Sequence, residues 1–148
     1  MSEITVLKLG GSVVTKKSEA GVIDTARIRD LAAQIAPVAK SVPLVIVHGA
    51  GSCGHPEAKQ YRIQEGVTKS NAEGIAVTHF AVRSLNEEFV SLLRAERVDA
   101  VCMHPFCTSL TMHVPRVYPR DALIHALLAI ALVPVLPVDV CSDPVLWP

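Results

Sequence analysis

Apolar residues fall along the chain in two kinds of run. Short runs at residues 3–9, 43–47, 99–103 and 133–136 are rich in Val, Ile and Leu and are bounded by turn formers. They read as buried strands. Between them the apolar positions recur at helical spacing. Ile28, Leu31, Ile35 and Val38 predict a helix capped by Asp24 or Thr25 and broken at residues 41–43. A short helix is expected over 56–61, followed by a polar loop at 66–69. The longest helix runs from Ser70 or Asn71 to about Glu96. Its Ile75, Phe80, Val82, Leu85, Phe89, Leu92 and Leu93 give more than one apolar stripe, as in a helix that is deeply buried or shared with a second subunit. Asp121 caps a last helix over 122–131. Residues 12–23 read as a mobile polar connection, and a loop containing His104 and His113 is expected to run to Tyr118 and Pro119.

Strands alternating with helices, through connections too long for hairpins, predict an α/β protein whose parallel sheet is covered on both faces. Ligands of such sheets bind beyond the carboxyl ends of the strands. Two glycine turns fall there. One is Gly10, Gly11 and Ser12 after the first strand. The other, His48 to His55, holds Gly49, Gly51 and Gly54 after the second. Bare amides at a tight turn, next to a helix start, favour an anion. With Lys8, Lys17 and His55 as neighbours, the two turns together suggest a crevice that handles phosphate. Neither turn has the Gly-Lys-Ser/Thr ending of a Walker loop. Gly49, Gly51 and Gly54 have the spacing of a dinucleotide fingerprint, but no acidic residue stands about twenty positions on, at a strand end, to hold a ribose.

Composition narrows the partners. The 148 residues suit one domain with a proper core, half of them are apolar, and the formal net charge is +0. Any cationic function is therefore local, and a nucleic-acid partner with its demand for clustered Lys and Arg is not expected. The cysteines Cys53, Cys102, Cys107 and Cys141 lack Cys-x-x-Cys spacing and sit in or near apolar segments. They read as buried small hydrophobes in a reducing compartment. Cys53, at a helix start, is read as a packing residue rather than a reactive thiol. His104, His113 and His125 show no ligand spacing, so no metal site is expected. The start of the chain does not read as a signal peptide, and the apolar tract 122–138 is broken by His125 and two prolines, so a cytoplasmic protein without a membrane partner is expected.

The residues Lys8 to Ser12, Lys17, the block His48 to His55, Met103 to Phe106 and Val133 to Leu136 resemble isopentenyl phosphate kinase, of the amino acid kinase superfamily. The resemblance runs from about residue 4 to Val140. It implies a parallel-sheet αβα sandwich of the amino acid kinase type. It also implies transfer of a phosphoryl group from ATP, accompanied by Mg2+, to isopentenyl phosphate, a step of isoprenoid biosynthesis.

Carried over by the resemblance, Lys8 and Lys17 neutralise the transferred group. Gly10, Gly11 and Ser12 hold the nucleotide phosphates. Ala50, Gly51, Gly54 and His55 hold the acceptor phosphate, with Asp139 also on the substrate side, while Ala76, Phe80 and Val82 wall a pocket for the isoprenoid tail. A homodimer is implied as well.

The chain departs from the family at Cys53, where Phe is usual, and at Val138, where Gly precedes the Asp and a side chain is expected to crowd the crevice. Family members are longer, and their second half holds most of the nucleotide site. Residues 1–140 are thus expected to be the N-terminal, acceptor-binding half of a truncated domain, with 141–148 a non-matching tail. The competing readings are a small-phosphonate kinase of the fosfomycin-resistance type and a non-catalytic remnant that binds phosphate or a partner subunit.

Overall fold

The computed structural model describes residues 3–111, 117–119 and 121–141. His113 and residues 142–148 lie outside them. The apolar runs form β1 (Thr5–Leu9), β2 (Leu44–His48), β3 (Ala100–Cys102) and, late in the chain, β6 (Val133–Pro137). These make one parallel sheet in the order β1-β2-β6-β3. Leu9 stands beside His48, and His48 beside Pro137, so both glycine turns leave the sheet at the same end.

Two long helices carry the core. In α2 (Thr25–Ala39), Asp24 caps the first turn by accepting from the Arg27 amide at 3.0 Å. In α4 (Glu73–Ala95), Thr78, Val82, Leu85, Asn86, Phe89, Val90 and Leu93 are buried as one continuous stripe. The two helices pack on each other and bury Ile28, Ile35, Leu85, Phe89 and Leu93 against Leu44, Ile46, Val133 and Val135 of the sheet. Fully burying side chains of this size is worth roughly 1.5–3 kcal/mol each. The expected second stripe of α4 is not part of this core: Phe80 is 68% exposed.

The connections β1-α2-β2 and β2-α4-β3 step in one direction across the sheet, whereas β3 to β6 steps back. Right-handed crossovers put α6 (Asp121–Ala129) on the opposite face, completing the αβα layering. That second layer is thin, since α6 buries no residue fully and Val6 of β1 is 62% exposed.

Two expectations change. The connection after β1 is not loose. Gly11–Val14 forms a helical turn, α1, Val14 is wholly buried, and Thr15 bridges to Ile23. The segment after β3 is not all loop either. It forms a short helix, α5 (Pro105–Thr108), then β4 (Ser109–Thr111), which pairs antiparallel with β5 (Val117–Pro119). The remaining helix, α3 (His55–Gln60), starts one residue earlier than the sequence suggests, directly from a 3-10 turn at Gly51–Cys53.

Candidate functional site: two glycine turns stacked at one end of the sheet

The two turns are in van der Waals contact, backbone on backbone. A Cβ on Gly11 would stand 2.4 Å from the Gly51 nitrogen, and one on Gly49 would stand 2.5 Å from the Gly11 nitrogen. Gly51 also has φ +56, a region other residues enter at a cost. Only glycine satisfies both constraints here. Gly54 is packed as closely from another side, its Cβ position lying 2.6 Å from Val82 of α4.

Thr15 ties the turns together. Its hydroxyl donates to the Gly11 carbonyl at 2.9 Å and accepts from the Ser52 amide at 3.0 Å, and the residue is 2% exposed. The Gly21 amide donates to the Ser52 carbonyl, fastening the Lys17 segment to the second turn. Among the described residues, the amides of Gly10, Gly11 and Ala50 have no hydrogen-bond acceptor. Because α3 has only six residues, an anion placed here would meet these turn amides rather than the dipole of a long helix.

An open crevice of about 600 Å³ lies over the turns, lined by Ser12, Thr15, Lys17, Ser18, Ala20, Gly51, Ser52, His55, Pro56 and Lys59. The structure therefore brings together Ser12, Lys17, Gly51 and His55, four of the residues singled out in the sequence. Thr15 and Lys59 join them unforeseen. Lys8 is exposed at the same end of the sheet, beside Val47, but does not line this crevice. A smaller cavity of about 200 Å³ lies where β2 and β6 begin, lined by Leu44, Val133 and their neighbours. Lys40 is its one ionic side chain, so it offers little for chemistry.

Other singled-out residues lie elsewhere. Ala76 and Phe80 face solvent on α4, and Val82 is buried against Gly54, so none of the three lines the crevice. Val138 is 49% exposed, and its amide donates to the His48 carbonyl at 2.7 Å. Its side chain does not crowd the crevice. Asp139 is turned inward, accepting at 2.6 Å from His79 Nδ1 with its own side chain fully buried. Burial pushes its carboxyl above the usual range, and the bond to His79 opposes that. His104 packs edge-on to His79, and burial holds its imidazole below its ordinary value. Burial likewise raises the Cys53 thiol, which argues for packing rather than for a reactive thiolate. All four cysteines are free.

Beneath the second turn, His48 is wholly buried between the sheet and α4. Its Nε2 is 3.0 Å from Asn86 Oδ1 and its Nδ1 is 3.1 Å from the Gly49 carbonyl. Phe89 meets the ring edge-on, with 5.5 Å between centroids. Asn86 and His79 were not legible as partners in the sequence, lying 38 residues from His48 and 60 from Asp139. A polar Asn on the apolar stripe of α4 was the one available signal.

Comparison with known proteins agrees with this geometry. Isopentenyl phosphate kinase of Methanothermobacter thermautotrophicus is 39% identical over 145 residues, covering 93% of this chain and 54% of the relative. Isopentenyl phosphate kinase of Haloferax volcanii is 34% identical over 102 residues, covering 69% of this chain and 41% of its own. A solved isopentenyl phosphate kinase superposes with a TM-score of 0.86 at 36% identity, over 96% of this chain and 59% of that one. The chain thus spans about half the length of the curated relatives it matches. The family model described as the amino acid kinase family matches residues 3–146. With its stacked glycine turns at the carboxyl ends of a parallel sheet, the chain belongs to the amino acid kinase family.

Proposed function

We propose that the chain forms the acceptor side of a phosphotransferase of the isopentenyl phosphate kinase type, converting isopentenyl phosphate and ATP to isopentenyl diphosphate and ADP. The observation that carries this reading is the joint lining of one crevice by Ser12, Lys17, Gly51 and His55. Phosphoryl transfer asks mainly for positioning and for charge stabilisation, and the crevice supplies both kinds of group.

On this reading, Gly51 and Gly54 and the amide of Ala50 hold the acceptor phosphate. His55 donates to one of its oxygens and aims another at the terminal phosphorus of the nucleotide. The acceptor oxygen forms the new bond to phosphorus as the bond to the bridging oxygen breaks, and ADP departs. Lys8 and Lys17 offset the charge on the transferred group. The amides of Gly10 and Gly11, with Ser12, suit the nucleotide phosphates. Mg2+ would supply further charge neutralisation on those phosphates. Among the described residues no group of three or more His, Cys, Asp or Glu side chains could hold a metal.

The reading extends to a homodimer in the cytoplasm, and the exposed Phe80 of α4 gives a second copy apolar surface to cover. Residues 3–146, the span of the family match, are proposed as the acceptor-side half of the family domain.

Isothermal calorimetry with isopentenyl phosphate tests the reading. The chain should bind it weakly, and His55→Ala should lose at least about tenfold in affinity, as expected when a hydrogen bond to a charged group worth roughly 1.5–3 kcal/mol is removed. Turnover with ATP and Mg2+ by the isolated chain should be negligible. Equal affinity in the variant removes His55 from the site. Preference for fosfomycin over isopentenyl phosphate moves the chain to the phosphonate branch.

A further inference from the structure

His48 has a proton too few for its surroundings. The Asn86 amide is fixed in orientation, because its Nδ2 donates to the Val135 carbonyl at 3.3 Å and the reversed amide would set two carbonyl oxygens face to face. Asn86 Oδ1 therefore points at His48 Nε2, which must donate to it. The other ring nitrogen, Nδ1, faces a second acceptor, the Gly49 carbonyl. A neutral imidazole carries one N–H and an imidazolium two. The neutral ring satisfies one acceptor and sets a lone pair against the other. The charged ring satisfies both, at the cost of an uncompensated charge in a wholly buried site.

Among the described residues set against the ring, none is charged. Leu9 of β1, Pro137 of β6, and Asn86 and Phe89 of α4 are what face the ring. Lys8, His55 and Asp139 are the titratable groups nearest along those segments, and burial holds the imidazole below its ordinary value against the two hydrogen bonds. The missing counter-charge has a place to bind. The Gly49 carbonyl and the Ala50 amide belong to one peptide unit, and that amide has no acceptor among the described residues. A proton on Nδ1 polarises this peptide and strengthens the Ala50 amide as a donor within the second turn, next to the crevice-lining Gly51.

We propose that His48 is a positioning residue that takes up a proton when an oxyanion binds the Gly49–Gly51 turn, which makes affinity for the acceptor phosphate proton-linked. This rests on reading that turn as the acceptor site. Binding raises the proton affinity of His48, so uptake occurs at pH values between its free and bound pKa. Through this window the contribution of His48 to affinity falls, by up to about tenfold per pH unit.

Nitrogen NMR of the histidine-labelled chain, assigned by triple resonance, tests this on the unmutated protein with isopentenyl phosphate and inorganic phosphate as separate probes. At pH 7 the free His48 ring should show one protonated nitrogen and one bare nitrogen. At saturation both should be protonated, which requires binding to raise the ring pKa through the measuring pH. A ring that stays neutral in the saturated complex, or is already doubly protonated without ligand, overturns the proposal. If phosphate drives the change and isopentenyl phosphate does not bind, His48 keeps this role and the isoprenoid reading fails. If neither binds at any pH, both are overturned. His48→Gln supplies a second readout, because its affinity for the effective probe should lose the part of the pH dependence that belongs to one proton.

Discussion

Gly11 and Gly51 come from different turns, and the space for a Cβ on the first is occupied by the backbone of the second, 2.4 Å from its nitrogen and 2.5 Å from its Cα. Backbone cannot yield as a side-chain tip can. Gly11→Ala should therefore push the turns apart and destabilise the fold by about 1–3 kcal/mol, the usual cost of overpacking. Gly10→Ala is the control, since its Cβ would meet only Val13 Cγ2, at 3.8 Å. Urea denaturation of the two variants should separate them clearly. Equal midpoints would mean that the turns are not held in contact in solution.

Thr15 makes a second kind of link between the same turns. Thr15→Val keeps its shape but leaves the Ser52 amide and the Gly11 carbonyl without the hydroxyl. A buried donor left unsatisfied costs about 1–3 kcal/mol. Thr15→Ser should recover most of this loss, because it restores the oxygen. Denaturation midpoints check the order wild type, Ser, Val. A Val variant as stable as wild type would show that the hydroxyl bridges nothing.

What could be read from the sequence alone divides along the range of the forces. The cap at Asp24, the apolar run of β2 and the spacing of Ile28 and Ile35 are local, and local pattern predicts them. The α1 turn is not local. Glycine and β-branched residues are poor helix formers, and Gly11–Val14 adopts that turn because Gly51 packs on it from the other turn and Thr15, which closes it, is held by the Ser52 amide. The site was legible as two glycine turns with cationic neighbours. Thr15, Asn86 and His79 were not, since each owes its place to a partner dozens of residues away or to burial that spacing cannot reveal. Phe80, given a place on a pocket wall by the family resemblance, is 68% exposed, which spacing along α4 alone does not reveal.

Acid should unfold the chain partly through His48. Burial sets its folded pKa below the ordinary value of 6.5. A group with a depressed folded pKa contributes stability that is intact above the unfolded value and lost as pH falls through the folded one. Below about pH 6.5 the unfolded chain binds a proton that the native ring resists, so stability falls by up to about 1.4 kcal/mol per pH unit from this group. Urea titrations at pH 7.5 and pH 5 should show the drop in wild type and a smaller one in His48→Gln. The same drop in both would assign the acid sensitivity to other groups.

The last prediction separates two faces of α4. Phe80 is 68% exposed, whereas Val82, two residues on, is 1% exposed and stands against Gly54. Phe80→Ser should change stability by less than about 0.5 kcal/mol, as surface substitutions do. Val82→Ala removes two buried methyl groups next to the second turn, at about 0.8 kcal/mol of burial each together with the cost of the space left behind. It also frees Gly54 to shift. Val82→Ala should thus lower both the denaturation midpoint and the affinity for isopentenyl phosphate. Phe80→Ser should leave the midpoint alone and, because the ring stands in solvent away from the crevice, leave the affinity for isopentenyl phosphate unchanged. A loss of isopentenyl phosphate affinity in Phe80→Ser with inorganic phosphate unaffected would put the ring on the wall of the acceptor pocket after all.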